Sequence, residues 1–241
     1  MNQLLPTGLY ALTPDTIDDA WLAMAVEAAI RGGAAAIQYR NKVADEAQKL
    51  RQAQRLARIC REAGALLIVN DTIELANAVN ADGLHIGRDD GDPATVRAAL
   101  GAQPILGVSC YDAFERAQAV RRIADYVAFG SVFVSAVKPG AVRAPLGLFA
   151  RAREAGMHAV AIGGIDAENA CEIAQAGAAA VAVITAVFGE AGGLGRADAA
   201  QVEVNARRVV AAFVTGLRTT TSGPDASAKL SRIASMRTKR E

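Results

Sequence analysis

Gln38, Arg40 and Lys42 alternate along the chain, and on an extended segment that spacing points all three side chains the same way. An apolar run of strand length, residues 65–69, ends in Asn70 and Asp71, and a second run, residues 81–87, is followed by Arg88, Asp89 and Asp90. If the two runs are neighbouring parallel strands, Asp71 and Asp90 lie side by side at the carboxyl edge of one sheet. Oxygen ligands there suit a hard cation such as Mg²⁺. Two cations then converge beside two carboxylates. The pattern fits a diphosphate held by Arg and Lys on one side and bridged by Mg²⁺ to the aspartates on the other, because each part neutralises charge the others leave exposed. The plainer reading of Arg40 and Lys42 is a surface ion pair with nearby aspartates.

These residues need strands to carry them. Residues 8–12 read as a first strand, and 13–16 turn into an amphipathic helix ending at Gly32 and Gly33. Residues 34–40 form the second strand, and 45–63 a long helix with Leu50, Leu56 and Ile59 on one face. A short helix over 72–79 separates the third and fourth strands, and Pro93 opens the next helix, where its missing N–H costs nothing. Strands follow at 104–109, 126–130, 158–162 and 178–184, and residues 198–217 can form a closing helix. Asp166 is the expected N-cap of the helix after the seventh strand. About eight β/α units over roughly 210 residues predict an α/β fold, a single-domain (β/α)₈ TIM barrel, better than an open doubly wound sheet. The expected organisation is a barrel domain over 1–217 and a flexible basic C-terminal tail over 218–241.

Composition bounds the function. A formal net charge of +1 gives no general pull toward nucleic acid. No apolar run reaches the roughly 20 residues needed to span a bilayer. The first residues lack a charged start followed by a long apolar core, so we read no export signal and expect a cytoplasmic protein. Cys60, Cys110 and Cys171 show no paired short spacing and read as buried small hydrophobes in a reducing compartment. A homo-oligomer is left open.

Barrel active sites are built at the carboxyl ends of the strands. Besides the residues above, that rim collects Ser109, then Ser135 and Lys138 in a long loop over 131–145, Gly163 and Gly164, and Ile184 with Thr185. The loop is long enough to serve as a functional cover. Gly163 and Gly164 with residues 184–185 suit the phosphate cradle that barrels often form from their last two loops, because glycine lets backbone N–H groups approach an anion. His85 and His158 lie in or beside apolar strands and read as structural. Cys110 stays outside the chemistry, since nothing in the sequence argues for a reactive thiol.

Gln38-Tyr39-Arg40-Asn41-Lys42, Val69-Asn70-Asp71, Asp82-Gly83-Leu84-His85-Ile86-Gly87 with Asp90, Gly107-Val108-Ser109 and Gly163-Gly164-Ile165 together resemble the thiamine phosphate synthase family. The likeness covers residues 8–188, and the order of the motifs on successive strands makes the set specific. It implies the joining of 4-amino-2-methyl-5-hydroxymethylpyrimidine diphosphate to a thiazole ethyl phosphate, with release of diphosphate. Gln38, Arg40, Lys42 and Asn70 are then expected to bind the pyrimidine diphosphate, with Asp71 and Asp90 on Mg²⁺. Ser109 is expected on the pyrimidine, and Lys138 on the departing diphosphate. Ser135, Gly164, Ile184 and Thr185 are expected on the thiazole phosphate. Arg40, Lys42 and Lys138 would promote departure by stabilising charge on the leaving oxygen.

The chain departs from the family pattern in three places. Val137 stands where a second hydroxyl residue is usual, Val134 replaces a common proline, and Tyr111 a frequent histidine. One lost neutral hydrogen bond is worth about 1 kcal/mol, which predicts a weaker enzyme before an inactive one. The altered loop is also the argument for a non-catalytic, ligand-binding or regulatory barrel. A related thiazole tautomerase has no metal-bound diphosphate to handle, and the full set of Gln38, Arg40, Lys42, Asp71 and Asp90 argues against it.

Overall fold

The computed structural model describes residues 5–134, 142–190 and 195–220. Eight parallel strands pair in sequence order and close between the last and the first. They are β1 (Gly8–Leu12), β2 (Ala36–Tyr39), β3 (Leu66–Asn70), β4 (Gly83–Ile86), β5 (Ile105–Tyr111), β6 (Tyr126–Phe129), β7 (Ala159–Ile162) and β8 (Ala180–Val183). Around them run α1 (Asp19–Arg31), α2 (Glu46–Ala63), α3 (Ile73–Ala78), α4 (Pro93–Leu100), α5 (Phe114–Val120), α6 (Gly147–Glu154), α7 (Ala170–Gln175), α8 (Thr185–Phe188) and α9 (Ala199–Thr220). The expected (β/α)₈ barrel is the observed one.

Strands covered on both faces must be apolar on both, and their residues divide by parity into two cores. Leu9 and Ala11 face the helices, with Ile37, Leu67, Val69 and Val108. Tyr10, Leu12, Ile68, Ile105 and Tyr126 fill the barrel itself. Ala36, Ala128, Ala180 and Ala182 share that interior, so small residues leave volume for two tyrosines.

Helix ends follow the expected signals. Asp18, Asp45 and Asp92 each accept an N–H from the first turn of α1, α2 and α4, and Gly64 ends α2 in a left-handed conformation (φ 67). Asp166 differs from expectation. It accepts N–H groups of Glu168 and Asn169 in a turn, and α7 begins only at Ala170. The closing helix extends to Thr220, past the expected end at 217, and the rest of the expected tail lies outside the described residues. Among the described residues, no helix is long and apolar enough to cross a membrane.

Candidate active site

Arg40 and Lys42 leave the carboxyl end of β2 beside Asn70 and Asp71 of the neighbouring strand, because the register pairs Tyr39 with Val69. These residues line one face of a cavity of about 320 Å³, with Asn41 and Thr72. The loop after β1 fixes the cationic segment. Thr13, fully buried, donates its hydroxyl to the Arg40 carbonyl at 2.9 Å and accepts the Arg40 N–H at 3.0 Å. Asp15 pairs with the Arg40 guanidinium at 3.0 Å and accepts the Lys42 N–H at 2.8 Å. The ion pair anticipated for Arg40 therefore exists, but with Asp15 from the loop after the neighbouring strand β1.

Asp71 and Asp90 come together as expected. Asp71 follows β3 in a left-handed conformation (φ 67), its N–H bonded to the His85 carbonyl at 2.8 Å. Asp90 folds back on its own loop, accepting the Gly87 N–H at 2.7 Å, and a Cβ on Gly87 would lie 3.0 Å from that carboxylate. Partial burial pushes the Asp71 carboxyl up to about 6, and a hydrogen bond to Asp90 and its charge push it the same way. Lys42 and Arg40 pull it down, so Asp71 senses all three neighbouring charges. The Asp90 charge raises the Asp71 carboxyl, and a divalent cation held by the pair would relieve that repulsion. Mg²⁺ commonly takes one or two protein carboxylates and completes its shell with water and substrate phosphate, so this pair fits it.

Behind the rim, a hydrogen-bonded chain crosses the barrel. Gln38 Nε2 donates to the Tyr10 hydroxyl at 2.6 Å, which lies 3.0 Å from the Tyr126 hydroxyl. That hydroxyl is 2.9 Å from His85 Nδ1, and His85 Nε2 is 2.8 Å from Ser109 Oγ. Burial lowers His85 to about 4, so the ring is neutral at pH 7. Assigning donors from Gln38 onward puts the imidazole proton on Nε2, where it is donated to Ser109 Oγ. The Ser109 hydroxyl proton is then free for a ligand. Gly107 makes this possible, since a Cβ there would collide with the Tyr126 ring.

On the far side of the mouth, Gly163 (φ 101) and Gly164 (φ 66) lie under residues 131–134. A Cβ on Gly164 would strike the Val134 carbonyl oxygen, so only glycine fits. Thr185 opens α8 directly after Ile184, whose carbonyl accepts the Val187 and Phe188 N–H groups at 3.0 Å, so only the first two N–H groups of the helix lack an intrahelical acceptor. The loop expected as a cover is pinned at its base by Ser131 N–H to the Val142 carbonyl at 3.2 Å and Ala144 N–H to the Ser131 carbonyl at 2.9 Å. Ser135, Val137 and Lys138 lie between, outside the described residues.

Sequence reasoning missed Asp15, Thr13, Tyr10 and Tyr126. The tyrosines sit at inward positions of β1 and β6, so strand parity was the available signal. Asp15 carried no local signal, because its partners are 25 and 27 residues away. Tyr111 takes a left-handed backbone (φ 56) and underlies the Arg88 guanidinium, 4.7 Å from its ring centre. Asp82, within one of the motifs, serves the opposite end of the barrel by accepting the Leu67 N–H at 2.8 Å. A cavity of about 370 Å³ at that end is lined by Arg97, Arg121, Arg122 and His158. Arg97 is already satisfied there by Asp125 and the carbonyls of Gly101, Ile123 and Pro104, so the rim at the strands' carboxyl ends is the better site.

The fold and site together define a phosphate-handling (β/α)₈ barrel whose mouth sets two cations against two carboxylates. Residues 9–187 match the thiamine monophosphate synthase family model. The chain is 56% identical over 182 residues to the thiamine-phosphate synthase of Chromobacterium violaceum, covering 75% of this chain and 88% of that protein. It is 52% identical over 192 residues to that of Azoarcus sp., covering 79% and 93%. The solved thiamine phosphate pyrophosphorylase of Pyrococcus furiosus superimposes with a TM-score of 0.74 at 29% identity, over 88% of this chain and 97% of that one. The chain belongs to the thiamine monophosphate synthase family, and its activity is thiamine-phosphate synthesis, a transferase reaction that moves a pyrimidinylmethyl group and releases diphosphate.

Proposed function

We propose that this barrel performs the transfer dissociatively, with Asp71 and Asp90 holding Mg²⁺ and the protein supplying charge and position without a nucleophile. The observation that carries the reading is the raised Asp71 carboxyl facing Asp90 beside Arg40 and Lys42. Bound Mg²⁺ would neutralise diphosphate charge there. Arg40, Lys42 and Lys138 stabilise the charge that grows on the leaving oxygen, and Asn70 offers its amide to the same group. Gln38 and Ser109, joined through Tyr10, Tyr126 and His85, orient the pyrimidine.

The pyrimidine's amino group feeds electrons toward the exocyclic carbon as its bond to diphosphate breaks, so the developing cation needs little covalent help. Ser135 and the backbone of Gly164, Ile184 and Thr185 hold the thiazole phosphate at the other side of the mouth. That tether places the thiazole nitrogen for capture of the cation. The loss of a hydroxyl at Val137 leaves Ser135 alone and slows the reaction without abolishing it. Three free cysteines fit a reducing, cytoplasmic setting.

The test is single-turnover chemistry with both substrates. Diphosphate release that needs Mg²⁺ and is lost in Asp71→Ala and Lys138→Ala supports these roles. Binding of both substrates with no turnover by the unaltered protein would favour the regulatory-barrel alternative.

A further inference from the structure

The one carboxylate that contacts both Arg40 and Lys42 among the described residues belongs to a residue outside the reading just given. Asp15 sits in the loop between β1 and α1, just after Pro14. Both its carboxylate oxygens reach the same guanidinium nitrogen of Arg40, at 3.0 and 3.2 Å, and the nearer one also accepts the Lys42 N–H at 2.8 Å. One carboxylate thus fixes the side chain of one cation and the backbone of the other. Its neighbours complete the splint. Thr13 brackets the Arg40 backbone from both sides, and Asn41 donates to the Thr16 carbonyl at 2.6 Å.

We propose that Asp15 is a positioning residue for diphosphate recognition, orienting Arg40 and Lys42 as one unit. The proposal rests on the diphosphate-binding role of those two residues. An arginine side chain has many rotamers, and holding it by one terminal nitrogen leaves Nε and the other terminal nitrogen, which have no hydrogen-bond partner among the described residues, to meet an anion in a set plane. The negative charge of Asp15 opposes the same anion, so the two effects predict opposite results on its removal. Geometry decides for positioning: a group that only competed for Arg40 would have no reason to hold the Lys42 backbone as well.

The experiment measures binding of inorganic diphosphate with Mg²⁺ by calorimetry, then steady-state kinetics with each substrate varied in turn. Asp15→Ala should weaken diphosphate binding and raise KM for the pyrimidine diphosphate about tenfold, leaving KM for the thiazole phosphate unchanged. Asp15→Asn, which can still accept from Arg40 and from the Lys42 N–H, should recover much of the loss. In an Arg40→Ala background, Asp15→Ala should have an effect at least threefold smaller. Tighter diphosphate binding by Asp15→Ala would overturn the proposal and make Asp15 a competitor. Equal rises in both KM values, or a loss confined to thermal stability, would overturn it in favour of a merely structural loop. If the unaltered protein binds no diphosphate, the reading of Arg40 and Lys42 fails first, and this proposal falls with it. Diphosphate binding that survives Asp15→Ala unchanged refutes the positioning role alone.

Discussion

Replacing Asp71 with Asn should make the metal-free protein more stable and the enzyme inactive. Asp71 stands at φ 67, a conformation Asn tolerates as readily as Asp, so the backbone is not disturbed. In the folded chain its carboxyl is raised from 3.8 to about 6. A shift of that size is worth at most about 3 kcal/mol. Asp71 is exposed on its outer side, and solvent screening reduces the figure to about 1 kcal/mol. The sign follows from proton uptake. Below about pH 4 both folded and unfolded chains carry the proton and the group contributes nothing. Between about pH 4 and 6 the folded chain holds more protons, so stability falls as pH rises, and above about pH 6 the full penalty of ionised Asp71 is present. Asp71→Asn should therefore raise Tm by about 2–4 °C at pH 7.5 without metal, and by nothing near pH 4. Added Mg²⁺ should stabilise the unaltered chain by mass action and the variant much less. Scanning calorimetry with and without Mg²⁺ at the two pH values decides it. A variant less stable than the parent at pH 7.5 without metal, or equally stabilised by Mg²⁺, would refute this account of the carboxylate pair.

Tyr126→Phe removes the link between Tyr10 and His85 and should cost about 1–3 kcal/mol in a denaturant titration, with a raised KM for the pyrimidine diphosphate and an unaltered one for the thiazole phosphate. Gly107→Ala drives a methyl into the Tyr126 ring and should destabilise by about 1–3 kcal/mol, a loss that Gly107→Ala with Tyr126→Phe does not fully recover because the ring remains. His158 is half-buried, its buried Nε2 has no partner among the described residues, and desolvation lowers it to about 4. Its contribution is present above about pH 6.5 and is lost as pH falls toward 4, so His158→Gln should flatten the fall in stability over that window by up to one proton. Lys138→Ala should lower single-turnover diphosphate release by about 10²-fold while thiazole phosphate binding, read by calorimetry, holds.

The barrel was legible because its signals are local. Parity marks the strands, aspartate caps open α1, α2 and α4, glycines end α1, α2, α4 and α8, and the carboxyl-edge rule then brings Gln38, Arg40, Asp71, Asp90 and Ser109 to one mouth. What the sequence hid is what depends on pairs distant along the chain. Asp15 reaches Arg40, and Tyr10 reaches Tyr126, 116 positions away, only after the barrel closes. Gly107 looked like part of a binding motif, whereas its physical role is to clear space for Tyr126. Asp166 looked like a helix cap and instead caps a turn, because proximity to a helix in sequence does not fix where the first helical turn begins.

The central claim is that the paired carboxylates hold the metal against which diphosphate leaves. Its most direct test is diphosphate release measured beside thiamine phosphate formation, with both substrates, across a Mg²⁺ titration, for the unaltered chain and Asp71→Asn. The account predicts equal amounts of the two products, dependence on Mg²⁺, and loss of both in the variant. Undiminished release without divalent cation, or a variant with the parent's rate and Mg²⁺ requirement, would contradict it.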